Sequence, residues 1–147
     1  MISYEKGLQK KVARLFELST SYYNPFFFLI NWKNSKIAQS ILNYDNLLLA
    51  QSKYYILNDM KNKELGKYDD RQYTHYADMM YWLGYIITKF CIEEQITWKE
   101  LFDVYDIERF FMSYDVLHTL SSKNACEDLK KYFTLTDKYK SMLITQN

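Results

Sequence analysis

A chain of 147 residues, 48% of them hydrophobic, is long enough to bury one substantial core and has the size of a single domain, so one helical domain over 1–147 is expected. One proline and three glycines leave too little turn punctuation for a sheet of many short strands, and an aromatic content of 18% excludes a disordered chain. A formal net charge of +1 removes the simplest argument for nucleic-acid binding.

The first helix is expected from about Ser3 to Leu18, with Leu8, Val12, Leu15 and Phe16 on one stripe. Asn24-Pro25 is a start signal: asparagine caps free amides, and proline fits a first helical position that needs no amide donor. The apolar run Phe26 to Ile30 then reads as a short buried helix. Asn34-Ser35 opens another, with Ile37, Ala38, Ile41 and Leu42 in helical rhythm, before a turn at Asn43 to Asn46. A longer helix is expected over about Asp45 to Leu65, with one stripe on Leu47, Ala50, Tyr54 and Leu57 and a second on Leu49, Ile56 and Met60. Gly66 ends it, and the polar segment Gly66 to Gln72 reads as an exposed loop or hinge.

The strongest periodicity lies between Tyr73 and Gln95, where Tyr76, Met79, Met80, Leu83, Ile86, Ile87 and Phe90 share a face and Trp82, Tyr85 and Ile92 lie off it. A helix apolar on most sides belongs at the centre. Thr97 to Glu100 fits a capping box; Trp98, Leu101, Phe102 and Tyr105 line the helix it opens, and Asp106 is positioned to cap the next, on Ile107, Phe110, Phe111 and Tyr114. Beyond Ser121-Ser122, Ala125, Leu129, Tyr132 and Phe133 define a further stripe, and the tail from Thr136 has room for one more short helix. The expected fold is an all-α, compact single-domain bundle of about six to eight helices around a central helix near 73–95.

Charge is unevenly spread. Met1 to Asn43 holds Lys6, Lys10, Lys11, Arg14, Lys33 and Lys36 against Glu5 and Glu17, a net of +4, whereas Glu93 to Glu108 holds Glu93, Glu94, Glu100, Asp103, Asp106 and Glu108 against Lys99, a net of −5. Each reads as a solvated helix face or, for the acidic set, as a surface offered to a basic partner. Cys91 and Cys126 do not form a secreted disulfide framework, and Met1 to Lys11 has no apolar segment behind a basic start, so a reducing, cytoplasmic setting is expected. The longest apolar stretch, Met79 to Ile92, is fourteen residues with Lys89 inside it, short of the roughly twenty that span a bilayer.

Catalytic patterns are sparse. Gly7, Gly66 and Gly84 are too far apart for a phosphate-cradling loop. His75 and His118 have no cysteine or carboxylate at metal-site spacing, so neither metal nor cofactor is expected. Cys91 reads as core, Cys126 pairs with His118 only across a turn, and the neighbours Asp69-Asp70 and Glu93-Glu94 point apart rather than forming acid-base pairs. Lys53-Tyr54-Tyr55, Lys131-Tyr132 and Lys138-Tyr139-Lys140 interleave lysine with aromatics as a single-strand binder would, but their offsets assign those rings to helix interiors.

Three stretches carry a resemblance. Phe28 to Ala38, running through Asn31-Trp32-Lys33-Asn34-Ser35-Lys36, is similar to an N-terminal signature, Tyr81-Trp82-Leu83-Gly84-Tyr85 to a central motif, and Tyr114-Asp115-Val116-Leu117-His118-Thr119 with Ala125 to Leu129 to a C-terminal one. They resemble a family of small helical Firmicute and mobile-element proteins associated with genes for ADP-ribosyltransferase-like toxins. Lys36 stands where an acidic residue is expected, and Ile86-Ile87-Thr88-Lys89 where an aromatic-basic run is. The resemblance implies a genetic context, not a mechanism. From the residues themselves, Tyr114 and Leu117 are expected to pack inward while His118 or Thr119 closes a helix end.

These readings favour a non-enzymatic, antitoxin-like inhibitor that occludes a toxin, with the acidic residues Glu93, Glu94, Glu100, Asp103, Asp106 and Glu108 as contacts and the motif residues Tyr81, Trp82, Gly84, Tyr114, His118 and Thr119 in an unassigned role. The alternatives are a phage or mobile-element inhibitor of a host defence nuclease, anti-CRISPR-like, and a helical nucleic-acid binder using the basic N-terminal third. An enzyme would need a buried polar cluster around His118 or His75.

Overall fold

The computed structural model describes residues 2–40 and 50–132. All regular structure among them is helical: α1 (Ile2–Ser19), α2 (Pro25–Lys33), α3 (Lys36–Ser40), α4 (Lys53–Met60), α5 (Ala77–Glu94), α6 (Trp98–Val104), α7 (Ile107–Leu117) and α8 (122–132). The fold is an all-α helical bundle. No helix among the described residues is long and apolar enough to cross a membrane.

α5 is the central element. Met80, Leu83, Ile87 and Cys91 are wholly buried, and Ile92, expected off the face, is buried too. The most extensive interface of the fold lies between α1 and α5. Gly84 makes it possible: a Cβ there would stand 2.8 Å from the Ala13 Cα and 3.0 Å from the Val12 carbonyl oxygen, so the two helices meet backbone to backbone. Buried Gln9 closes the same seam by donating its side-chain amide to the Tyr85 carbonyl at 3.3 Å.

A cluster of aromatic rings runs through the core beside its aliphatic side chains. Phe16 of α1 lies 5.3 Å from Phe28, 5.0 Å from Trp32 and 5.4 Å from Trp98, ring centre to ring centre. The chain of rings continues through Phe102, Phe110 and Tyr105 to Tyr132 of α8. The indole N–H groups of Trp32 and Trp98 have no acceptor among the described residues, and the two rings cross at 90° with centres 5.7 Å apart. Edge-to-face contact and buried area hold them in place.

Several helix ends follow local chemistry. The Asn24 side chain accepts from the Phe26 and Phe27 amides ahead of α2, and Ser35 accepts from the Ala38 amide ahead of α3. Thr97 accepts from the Glu100 amide, but the Glu100 carboxylate takes the Thr97 hydroxyl at 3.2 Å rather than its amide, so half of the expected capping box forms. Asp106 precedes α7 without a side-chain cap; its carbonyl accepts from the Arg109 and Phe110 amides. At the end of α5, Gln95 takes the left-handed conformation at φ 56° and donates its side chain to the Ile92 carbonyl at 2.7 Å.

Two expectations change. The helix placed at Asp45 begins at Lys53, because Ser52 caps it by accepting from the Tyr55 amide at 3.1 Å. Its first stripe holds only at Leu57, which is buried, whereas Ala50 and Tyr54 are exposed; Ile56 and Met60 of the second stripe are buried. The chain then passes through a π turn, Lys61–Leu65, and closes where the Gly66 amide donates to the Lys61 carbonyl. Residues 66–72 form an exposed loop as expected, but it is tied to the α1–α2 turn rather than hinged: Asp69 N donates to Tyr22 O, Tyr73 N to Thr20 O and the Tyr23 hydroxyl to Gly66 O. The expectations for Ile41 and Leu42, the turn at Asn43 to Asn46, Leu47 and Leu49, Phe133, Lys138 to Lys140 and the tail from Thr136 lie outside the described residues.

Candidate functional site

The six acidic candidates divide among different surroundings. Glu93 pairs with Lys89 one turn earlier on α5, and Glu94 lies 3.5 Å from Lys130 of α8. Both line a cleft of about 410 Å³ with Lys89, Lys123, Cys126, Glu127 and Lys130, where three lysines balance three glutamates. That cleft is neutral overall, and its lining includes none of Glu100, Asp103, Asp106 or Glu108. Glu100 sits at the start of α6 beside Thr97, and Asp103 is exposed further along that helix. Asp106 and Glu108 are exposed at the start of α7, where carboxylates are favoured by the helix dipole.

The motif residues meet one another. Trp82 of α5 lies edge-on to Tyr114 of α7 at 5.4 Å, and Tyr114 stacks on His118 at 4.3 Å. His118 Nδ1 is 2.6 Å from the Tyr114 carbonyl and Thr119 Oγ1 donates to the Val116 carbonyl at 2.7 Å, so both side chains add to the backbone bonds those carbonyls accept at the end of α7. Leu117 is buried and Tyr114 half-buried, as their spacing implies. Tyr81 stacks along Tyr85, and Gly84 sets the approach of α1. Packing of α5 on α7 and closure of α7 therefore account for Trp82, Tyr114, His118 and Thr119 in this geometry.

Four side chains of the types that carry nucleophilic or acid-base chemistry are buried or engaged by neighbours. Cys91 is fully buried and Cys126 nearly so, with its thiol facing the Ile86 carbonyl at 3.9 Å. Burial pushes the Cys126 thiol up to about 12 and the Cys91 thiol higher still. The Arg71 amide and the Tyr73 hydroxyl bind the Asp69 carboxylate and lower its pKa, so it is not a poised acid. His75 stacks on Tyr76 at an exposed 3-10 turn. Among the described residues no group of three or more His, Cys, Asp or Glu side chains is placed to hold a metal ion.

A consequence follows for alkaline conditions. In the unfolded chain the thiols ionise near their ordinary value of 9.0, while the folded thiols keep their protons. The folded state then binds more protons than the unfolded one, so stability falls as pH rises above about 9. Burial raises Tyr23 to about 12 as well and adds to this loss above its ordinary value of 10.0. Urea midpoints constant to pH 8 and falling from pH 9 to 11, with both thiols unreactive to a disulfide reagent until urea is added, are the expected results. Rapid labelling of either thiol in the native protein at pH 8 contradicts this burial.

Periodicity alone missed an apolar surface. The run Phe26 to Ile30 is not uniformly buried: Phe28 and Leu29 are, but Phe26, Phe27 and Ile30 are 37%, 43% and 49% exposed. A nine-residue helix apolar on every side cannot cover all its faces against one core, and that was the available signal. Phe26 packs on Phe111 of α7 at 4.4 Å, which joins this face to that helix. On α7, Met112 and Val116 stand one turn apart and are 81% and 68% exposed. Glu108, Met112, Asp115, Val116 and Thr119 fall at the three- and four-residue spacings of one stripe. Arg109, the only cation of α7, is instead turned onto the Tyr132 ring at 4.6 Å.

The class these features define is an all-α bundle with two buried thiols and apolar side chains exposed on α2 and α7. No protein-family model, curated protein or solved structure matches this chain.

Proposed function

We propose that the chain is a protein-binding inhibitor of antitoxin type, which occludes a partner toxin through the outer face of α7 and the adjoining face of α2. The observation that carries this reading is the exposure of Met112 and Val116 within a stripe that also presents Glu108 and Asp115. Apolar side chains clustered on helix faces and flanked by charge are the make-up of an interface core and its rim. A stripe bearing carboxylates and no outward cation suits a basic partner surface with an apolar pocket. Of the acidic candidates, Glu108 belongs to this face; Glu93 and Glu94, neutralised by lysines, do not serve it.

Co-expression with the products of adjacent genes, to find one whose toxicity the chain relieves, tests the reading. The unaltered chain is expected to restore growth and to co-purify with the toxin, whereas Met112→Lys/Val116→Lys does neither while its folding stability stays within about 1 kcal/mol of the original, as two exposed sites allow. Rescue that survives the double substitution, or no rescue by the unaltered chain, contradicts it.

A further inference from the structure

On the α1 side of the bundle, a cleft of about 540 Å³ lies between α1 and the start of α4, lined by Gly7, Lys10, Lys11, Arg14, Ser52, Lys53 and Tyr54. Its volume is in the range of about 300–1,000 Å³ typical of small-ligand clefts. Four of the seven lining residues are cations and none is an acid. Gly7, Lys10, Lys11 and Arg14 recur at the spacings of one helix face, and the four residues from Lys10 to Arg14 advance roughly 6 Å along it. Among the described residues Lys10, Lys11 and Arg14 form no ion pair, in contrast to Lys63, Lys89 and Lys130, each set against a carboxylate. Burial lowers the Lys11 ammonium pKa, and an anion beside it would reverse that effect.

Charge is not the cleft's only feature. Tyr54 is 62% exposed and Tyr55 52%, against the expectation that these rings are internal, and the Lys53 ammonium lies 5.4 Å from the Tyr54 ring centre. α4 begins at this point, so the positive end of its dipole adds to the cations. A positive groove beside an exposed ring is the arrangement that holds a phosphodiester backbone while a base stacks. Inorganic phosphate chemistry alone would leave the tyrosines without a role.

We propose that this cleft binds a short stretch of single-stranded nucleic acid, with phosphates on Lys10, Lys11, Arg14 and Lys53 and a base stacked on Tyr54. The site is separate from the α7 face and does not depend on the inhibitor reading. The overall charge of +1 confines the attraction to this cleft and makes it strongly salt-dependent.

Fluorescence anisotropy with a labelled oligouridylate and an oligothymidylate of about ten residues, with inorganic polyphosphate as competitor, is the test. Four phosphate contacts on a single strand predict affinity falling on the order of fifty-fold between about 50 and 200 mM salt. Lys10→Glu/Arg14→Glu is expected to weaken binding at least tenfold at low salt and to flatten that dependence. Tyr54→Ala is expected to weaken oligonucleotide binding severalfold, leaving the competition by polyphosphate unchanged. All these residues except half-buried Lys11 and Lys53 are exposed, and unchanged circular dichroism shows that the variants fold. No binding at about 50 mM salt, unaltered binding by the double variant, or Tyr54→Ala weakening both ligands equally or neither overturns the proposal.

Discussion

Phe16→Ala is expected to remove about 3–5 kcal/mol of folding stability. Phe16 is fully buried and its ring meets Phe28 and Trp32 of α2 and Trp98 of α6, so one side chain ties three helices together. Truncation removes the transfer free energy of the ring, leaves a cavity, and forfeits ring-edge contacts of about 0.5–1.5 kcal/mol each. Phe16→Leu keeps most of the volume and loses the ring contacts, so it falls between the two. Urea unfolding followed by circular dichroism measures all three proteins; an alanine variant within about 1 kcal/mol of the original would show that the aromatic cluster is not the structural centre.

The second large effect is at Gly84. Alanine in place of a mid-helix glycine ordinarily stabilises by about 1 kcal/mol. Here the added methyl group meets the Ala13 Cα at 2.8 Å and the Ala13 nitrogen and Val12 oxygen at 3.0 Å, all backbone atoms with no rotamer to yield. The helices must separate along the widest interface in the fold, and overpacking at about 3 kcal/mol outweighs the propensity gain, for a net loss of about 2 kcal/mol. Gly84→Val costs more. Because the obstruction is backbone, Ala13→Gly is expected not to rescue Gly84→Ala. Rescue in the double variant would show that side chains, rather than the backbones, set the helix separation.

Much of the scaffold could be read from residue spacing. The α5 face is apolar at helical intervals over nearly its whole length, and Asn24-Pro25, Ser35 and Thr97 mark helix starts through local hydrogen bonds that need no tertiary context. Where local signals competed, the reading failed. Ser52 breaks a stripe that hydropathy alone would have run from Asp45, and Asp106 takes the cap position without using its side chain. The candidate surfaces were harder to see, because charge along a sequence does not record which lysine another element places opposite. Glu93 and Glu94 read as part of an acidic run until α8 sets Lys123 and Lys130 beside them. Conversely, Lys10, Lys11 and Arg14 join Lys53 across thirty-nine or more residues of chain, a juxtaposition only the packing of α4 on α1 creates. The exposure of Met112 and Val116 follows from which face of α7 the core takes: Phe110 and Leu117 go in, and the stripe through Glu108 and Thr119 stays out.

Trp82, Tyr114 and His118 bear on the inhibitor reading from the inside. Trp82 packs α7 on α5 through Tyr114, and the outer stripe is presented on the far side of a formed helix. Preorganisation of this kind lowers the ordering cost of docking. The most direct measurement is the affinity of the proposed partner, once captured by co-expression and purified, for the chain and for Met112→Lys/Val116→Lys. Two anchors at the centre of an interface predict a dissociation constant raised roughly a hundredfold or more, with Glu93→Gln/Glu94→Gln, in the charge-balanced cleft, binding as the original does. Equal affinity for the original chain and the α7 variant, with the loss appearing at Glu93 and Glu94 instead, would contradict the account.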